Sequence, residues 1–359
     1  MKLSIIILAA AVGCGAAQPP EPPENKPRRI SVRGTRFVQA DGLPFEWRGV
    51  TAFRLAELVA TGKVAEAAAY LDWAAASGVT VVRVLSMARH LFPLAPEQGV
   101  AALPRLLKMA ADRGLHVEVV ALADTADLTV DLDAHVAAVG RIAAEHPNAF
   151  VEIANEPFHP TQHPSLHDRA TLARLAALIP GPVVVAFGSD APGRSGGGDY
   201  VTVHMPRGDT PWEHVGALAQ GRDLVTKYGR PVVSDEPMGA AETAQPGRRD
   251  NSAERFRAAA LLTRMTGMHA TFHYEGGLHA RIPRGAEKAA FDAWREAWTI
   301  LPRGIEQGTF RKLQTPKGEA YESRLDGRRW VLTIGGPSDP PAGLTRQSTW
   351  RESALFVGK

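Results

Sequence analysis

Eight strand-length apolar runs recur along the chain, and helix-length segments are interleaved with them. The runs lie at 45–50, 79–85, 117–122, 150–153, 183–187, 201–204, 231–234 and 270–273. The helical candidates lie at 63–77, 103–113, 132–145, 166–178, 211–228, 252–268 and 286–300. Strands separated by helices align in parallel, with the helices packed outside. Eight such units predict closure into an α/β (β/α)8 TIM barrel, which needs about 250 residues. Residues 30–300 supply that length, and 45% of the chain is apolar, enough for a large core. An open doubly wound sheet would want a glycine-rich phosphate turn after an early strand. The run of three glycines, Gly196-Gly197-Gly198, follows the fifth strand candidate with no helix behind it. It reads as a loop.

The flanks read differently. Residues 30–50 alternate and turn at Asp41-Gly42, which predicts an N-terminal β-hairpin. The last segment, 301–359, has no long helical pattern. "YESRLDGRRWVLTI" reads as a hairpin around Asp326-Gly327, and "STWRESALFVG" as one more strand. About 60 residues seldom sustain a core alone, so a small C-terminal β extension packed on the barrel is expected. At the other end Lys2 precedes a mostly apolar run, residues 3–12. It is too short to span a membrane as a mature helix and reads as a signal peptide over 1–17. Ala11-Val12-Gly13-Cys14 resembles a bacterial lipobox, in which the cysteine becomes lipid-modified; ordinary cleavage after Ala16 or Ala17 is the alternative. Cys14 is the lone cysteine, so the mature chain has no internal disulfide. Residues 18–29 are proline-rich and read as an extended spacer. The expectation is an extracytoplasmic protein, secreted or lipid-anchored in a bacterial envelope, meeting the membrane only through Cys14. The net charge is +3, and the one basic cluster is Lys26, Arg28, Arg29, Arg33 and Arg36. Nucleic-acid binding would want a longer basic face.

Barrel chemistry sits at the C-terminal ends of the strands. The fourth strand candidate runs into "VEIANEP" and ends on Asn155-Glu156; the seventh, "PVVSDEP", ends on Asp235-Glu236. Strands four and seven lie on roughly opposite sides of a closed mouth. Two carboxylates across one cleft are the minimal apparatus for cleaving a glycosidic bond: one protonates the leaving oxygen, and the other attacks the anomeric carbon or activates water.

"WRGVTAF" after the hairpin, "VVRV" on strand two, "NEP" ending strand four and a glutamate ending strand seven together resemble the cellulase-like, retaining clan A glycoside hydrolases. The resemblance covers roughly residues 30–300. It implies Glu156 as acid/base and Glu236 as nucleophile, with no cofactor and no metal. It also implies Asn155 on the sugar 2-hydroxyl and Arg83 holding Glu236 ionised and oriented. His204 matches the histidine of a His-x-Tyr pattern on strand six. The chain departs from the pattern at three places. Strand three ends in Ala123-Asp124 where many relatives have His, Met205-Pro206 follow His204 with no Tyr, and strand eight carries Tyr274 and Glu275 where a Trp platform is common. These departures keep a second expectation open: a non-catalytic carbohydrate-binding lipoprotein on the same barrel. In either case the partner is a carbohydrate.

Position singles out further residues. Tyr274 is expected to stack on a sugar and Glu275 to bind hydroxyls, with His273 beside them. Trp212, after strand six, is a sugar platform through its flat face or a packing residue at a helix start. Asp124 and Asp190 are rim candidates. His159, His163 and His167 recur at helical spacing, but Pro160 and Pro164 break a helix there; a loop with His159 near substrate is expected. Glu118 and Glu152 sit inside strands and need partners if they face inward; Arg83 is one partner within reach. Outward contact with helix side chains is the alternative.

Overall fold

The computed structural model describes residues 26–358 except 128, 195, 207, 246, 316, 337–340 and 342. The signal segment, Cys14 and residues 18–25 of the spacer lie outside the described residues.

Eight parallel strands form the barrel: β1 (Arg48–Thr51), β2 (Val81–Leu85), β3 (His116–Leu122), β4 (Ala149–Asn155), β5 (Val184–Ser189), β6 (Val201–Val203), β7 (Val232–Ser234) and β8 (His269–Tyr274). The hydrogen-bonded order is β5-β4-β3-β2-β1-β8-β7-β6. The remaining seam, β5 to β6, is joined by a parallel bridge between Asp190 and Val203 and by His204 N–H donating to Asp190 O at 3.0 Å. Helices connect the strands as the sequence pattern required, none being described between β5 and β6, with local differences. Leu55–Ala60 forms an extra short helix after β1. The segment 211–228 breaks into Pro211–Ala217, a 3-10 turn and Gly221–Tyr228. The break falls where Gly221 lies against the helix-end residues Thr266 and Met268; a Cβ there would sit 2.7 Å from Thr266 Oγ1. The three glycines at 196–198 lie on β5, with Phe187 N–H bonded to Gly197 O at 3.2 Å.

The hairpin is Ser31–Arg33 paired with Arg36–Val38. Its turn is at Gly34 (φ 58°), and the expected reversal at Asp41-Gly42 follows it, with Gly42 N–H donating to Gln39 O at 2.9 Å and Val38 bridged antiparallel to Pro44. Glycine takes that left-handed conformation without steric cost, so the segment reverses once more than the Asp-Gly signal alone announces. Phe37 from this hairpin plugs the N-terminal end of the barrel. Its ring meets Trp47 at 5.2 Å, Tyr200 at 5.5 Å and Phe150 at 5.7 Å. Trp47 Nε1 donates to Thr271 Oγ1 at 3.2 Å.

A five-stranded antiparallel sheet follows the barrel: β9 (Thr309–Leu313), β10 (Glu319–Leu325), β11 (Arg328–Ile334), β12 (Leu344–Thr349) and β13 (Ser353–Gly358), in the order β9-β10-β11-β13-β12. The Asp326-Gly327 turn joins β10 to β11, both residues at positive φ, as a two-residue hairpin turn demands. The sheet is tied to the helix Ala253–Thr266 through Glu254 Oε1, which accepts from Glu352 N–H at 2.6 Å and Ser353 Oγ at 2.8 Å. Among the described residues no helix is long and apolar enough to cross a membrane.

Candidate active site

Side chains alternate along a strand, and inside this barrel the alternation builds tiers. Above the aromatic plug lies a charged tier around Arg83, which is fully buried. Its guanidinium meets Glu152 at 3.0 Å, Asp235 at 3.6 Å and Glu118 at 3.7 Å. Tyr200 O–H donates to Glu118 Oε1 at 2.8 Å. Ser189 links the tier twice: its hydroxyl accepts from Arg83 Nη2 at 2.8 Å and donates to Glu152 Oε1 at 2.5 Å. Glu118 and Glu152 therefore face inward and share Arg83. Four carboxylates lie around one guanidinium once Glu236 is counted, so the tier balances its charge with protons. Burial first, and then the Glu152 charge, push Glu118 up to about 8 against the pull of Arg83. Burial also raises Asp235 well above the carboxylate range. For Arg83 burial works against the charge, but Glu152, Asp235, Glu118 and Glu236 outweigh it and hold the cation.

The mouth sits on this tier. Arg83 Nη1 is 3.5 Å from Glu236 Oε1. His204, following β6, stands between the two glutamates: Nδ1 is 3.2 Å from Glu156 Oε1 and Nε2 is 3.7 Å from Glu236 Oε1. Burial alone would lower the imidazole, but Glu236 and the hydrogen bond to Glu156 raise it to about 9. The same hydrogen bond holds Glu156 below the usual carboxylate range. At neutral pH the pair thus keeps its proton on the imidazole. Glu156 has a 42% exposed side chain and Glu236 a 12% exposed one. One acid faces solvent and the other is sunk against the charged tier. Glu156 also holds a left-handed backbone (φ 43°), a conformation that costs energy in a non-glycine residue and clusters at functional sites. Its N–H donates to Ser189 O at 2.9 Å.

The remaining sequence candidates fall in several places. Asn155 accepts from Arg83 Nη2 at 2.9 Å and belongs to the mouth. Arg83 itself is sealed below it and acts through its neighbours, so it does not bind substrate. Tyr274 is fully buried, its hydroxyl bonded to Tyr70 Oη at 2.9 Å and to Arg281 O at 2.5 Å. It is no sugar platform: strand alternation turns Phe272 and Tyr274 out toward the helices and His273 in. Trp212 packs at its helix start under Arg255 and against Gly335 of the C-terminal sheet. That is the packing role, not the platform. Glu275 is exposed at the start of the short helix Glu275–Leu278. His159 is exposed, bonded to Thr161 Oγ1 at 2.9 Å, and near enough for its charge to act on Glu156. His163 caps a 3-10 turn and His167 stacks on Phe158, so the three histidines do not converge. Asp124 accepts from Arg89 N–H and His90 N–H, and Asp190 from Phe158 N–H; both tie loops together.

His273 stands closer to the chemistry than its sequence position suggests. Its Nδ1 meets Thr51 Oγ1 at 3.0 Å and its Nε2 lies 3.7 Å from Glu236 Oε2. Burial lowers its pKa to about 4, so it faces Glu236 as a neutral ring. The alternation Phe272-His273-Tyr274 carried that signal. Among the described residues, one group of acids is close enough to share a metal ion: Glu118, Glu152 and Asp235. The Arg83 guanidinium already serves all three. A hollow of about 360 Å³ lined by Arg54, Leu58, Lys63, Glu66, His279 and Arg281 includes neither glutamate.

No family model and no curated protein matches the chain. Solved structures do. A putative glycoside hydrolase from Bacteroides vulgatus ATCC 8482 is 14% identical, with a TM-score of 0.60 over 91% of this chain and 71% of that one. A family 5 glycoside hydrolase from the same organism is 16% identical, with a TM-score of 0.56 over 86% and 80%. A β-glucanase from Saccharophagus degradans in complex with cellotetraose is 14% identical, with a TM-score of 0.55 over 79% and 98%. The barrel fold of this chain is thus the fold seen in cellulase-like hydrolases of clan A.

Proposed function

We propose that the chain is a retaining glycoside hydrolase acting on a poly- or oligosaccharide. The observation that carries the reading is the placement of Glu156 and Glu236 on two sides of one imidazole, His204, at the C-terminal mouth. Glu236, ionised beside Arg83, attacks the anomeric carbon as the C–O bond to the leaving group breaks. The proton that the leaving oxygen takes comes from His204 Nδ1 by way of Glu156, which is left as a carboxylate beside a neutral imidazole. In the second half Glu156 accepts a proton from water and returns it to His204, while the water oxygen displaces Glu236 and restores the sugar configuration. Asn155 holds the 2-hydroxyl, while His159 and Glu275 on the rim serve outlying hydroxyls. A double displacement wants the carboxyl groups about 5–5.5 Å apart. The fold shared with a glucanase that binds cellotetraose supports a glycan substrate.

Glu236→Gln tests the reading. Hydrolysis of aryl glycosides should vanish while circular dichroism stays that of the wild type. An undiminished rate would remove Glu236 from the mechanism.

A second reading, a non-catalytic glycan-binding protein, has its own support. Pro206 stands exposed where relatives place a Tyr, and Asp124 is spent on two backbone N–H groups. Binding on a glycan array without release of reducing sugar would favour it.

The reading extends to location: outside the cytoplasm, held by lipid on Cys14. Labelled palmitate should enter the wild type and not Cys14→Ser.

A further inference from the structure

Beside the mouth the loop between β7 and the helix Ala253–Thr266 doubles back on itself. Its short strand Gly239–Ala240 pairs in parallel with the end of β8, Gly239 opposite His273. Asp250 N–H donates to Gly239 O at 2.8 Å, which brings Arg248 and Arg249 alongside. The Arg249 guanidinium lies directly on Gly239, where a Cβ would sit 2.8 Å from Nη1. Glycine at 239 makes room for it. The place is close to the chemistry: Gly239 is three residues past Glu236, and its register partner His273 is 3.7 Å from Glu236 Oε2.

This loop and the segment after β6 enclose a hollow of about 80 Å³ lined by His214, Arg248, Arg249, Asp250 and Arg255, with backbone and small residues between them. Its charges do not balance. Asp250 is the one carboxylate in the lining, and Arg255 already holds it at 2.6 and 2.7 Å. Neighbouring acids turn elsewhere: Glu242 accepts from Ala286 N–H at 3.2 Å and Glu213 from Thr210 N–H at 2.9 Å. Among the described residues neither Arg248 nor Arg249 is paired with a carboxylate. Arg249 Nη1 donates to Arg248 O at 3.4 Å, a weak contact for a guanidinium. Arg248 is exposed and Arg249 half-buried, so both are open to a ligand. Two guanidiniums at the edge of a cleft are suited to forked hydrogen bonding with a planar or tetrahedral oxyanion.

We infer that this hollow is a subsite for an anionic group on the glycan, a uronic-acid carboxylate or a sulfate ester, and that the substrate is an acidic sugar chain. The inference rests on the glycoside hydrolase reading and narrows it. The guanidiniums recognise the charged substituent while Glu156 and Glu236 act on the neighbouring glycosidic bond. Their field also draws a polyanion to the mouth.

The test compares matched probes: 4-nitrophenyl β-glucuronide, 4-nitrophenyl β-glucoside 6-sulfate and 4-nitrophenyl β-glucoside. Uronic-acid oligosaccharides are added beside their carboxyl-reduced counterparts. Wild type should favour an acidic probe over its neutral match by at least tenfold in kcat/KM, and the preferred anion identifies the substituent. Arg249→Gln should reduce that acidic-to-neutral ratio by about 10- to 100-fold, the range for a hydrogen bond to a charged group. Arg249→Lys should recover part of it, and added salt should shrink the wild-type ratio. Calorimetry on Glu236→Gln, with and without Arg249→Gln, reads binding alone. Neutral probes hydrolysed as well as acidic ones, or a ratio unmoved by Arg249→Gln, would overturn the subsite and leave the hydrolase standing. Arg249-dependent binding of acidic sugars with no turnover of any probe would keep the subsite and sink the hydrolase.

Discussion

Arg83 Nη2 donates to Asn155 Oδ1 at 2.9 Å. A guanidinium can only donate, so this contact fixes which end of the amide faces down. The carboxamide oxygen points into the charged tier, and the NH2 group is left to donate toward the mouth. Glu152 and Ser189 hold Arg83 in turn, so the orientation of Asn155 is set three side chains deep.

If that NH2 group holds the sugar 2-hydroxyl, Asn155→Ala should cost about 10- to 100-fold in kcat/KM on ordinary aryl glycosides, the value of one good hydrogen bond in the transition state. On 2-deoxy aryl glycosides the same variant should lose little, because the partner is already gone. Steady-state kinetics on the two substrate series gives the answer. An equal loss on both would mean that Asn155 only supports the neighbouring loop.

The proton held by His204 sets the pH profile. The imidazole, raised to about 9, keeps a proton that Glu156, held low by the same hydrogen bond, does not. The active form needs one proton on the pair, so activity should persist until that proton leaves near pH 9. In His204→Asn the carboxyl of Glu156 must hold it unaided. The alkaline limb of kcat/KM should then move to acid by about 2 units or more. A limb that stays near pH 9 in the variant would place the proton elsewhere.

Much of this was legible in the sequence, and the failures have physical reasons. Hydrophobic runs of two periods gave away the barrel, because parallel strands covered on both faces must be apolar. Glu156, Glu236, Asn155 and His204 were found by asking which polar residues end a strand. Tyr274 was misread because its direction depends on where β8 ends, and one residue changes its face. The charged tier was visible only as isolated Glu118 and Glu152; that one guanidinium serves both follows from barrel closure. Trp212 stayed open between platform and packing residue for a different reason: the C-terminal segment it packs against is distant in sequence.

Trp212 allows a direct check. Packed under Arg255 and against Gly335, it should behave as a core residue. Trp212→Ala should destabilise by about 3 kcal/mol, the low end for such truncations, and lower Tm, with KM on soluble oligosaccharides within about twofold of wild type. Differential scanning calorimetry alongside kinetics separates the roles. A large rise in KM with unchanged Tm would restore it as a sugar platform.

Glu118 offers the sharpest test of the charged tier. Its ordinary value of 4.5 is raised to about 8, chiefly by burial and then by Glu152. A carboxyl whose folded pKa lies above its unfolded one binds more protons in the folded state across that window. Its contribution to stability is therefore whole below about pH 4.5 and is lost as pH climbs toward 8, by at most about 1.4 kcal/mol per pH unit. Glu118→Gln keeps the shape and the acceptor for Tyr200 but cannot ionise. Wild type and variant should be nearly equal in acid, and the variant should overtake as pH rises to 8. Urea unfolding at intervals across that range measures the crossing. Wild type gaining on the variant with rising pH would mean that Glu118 is ionised in the folded barrel, with Arg83 stabilising it more than burial opposes it.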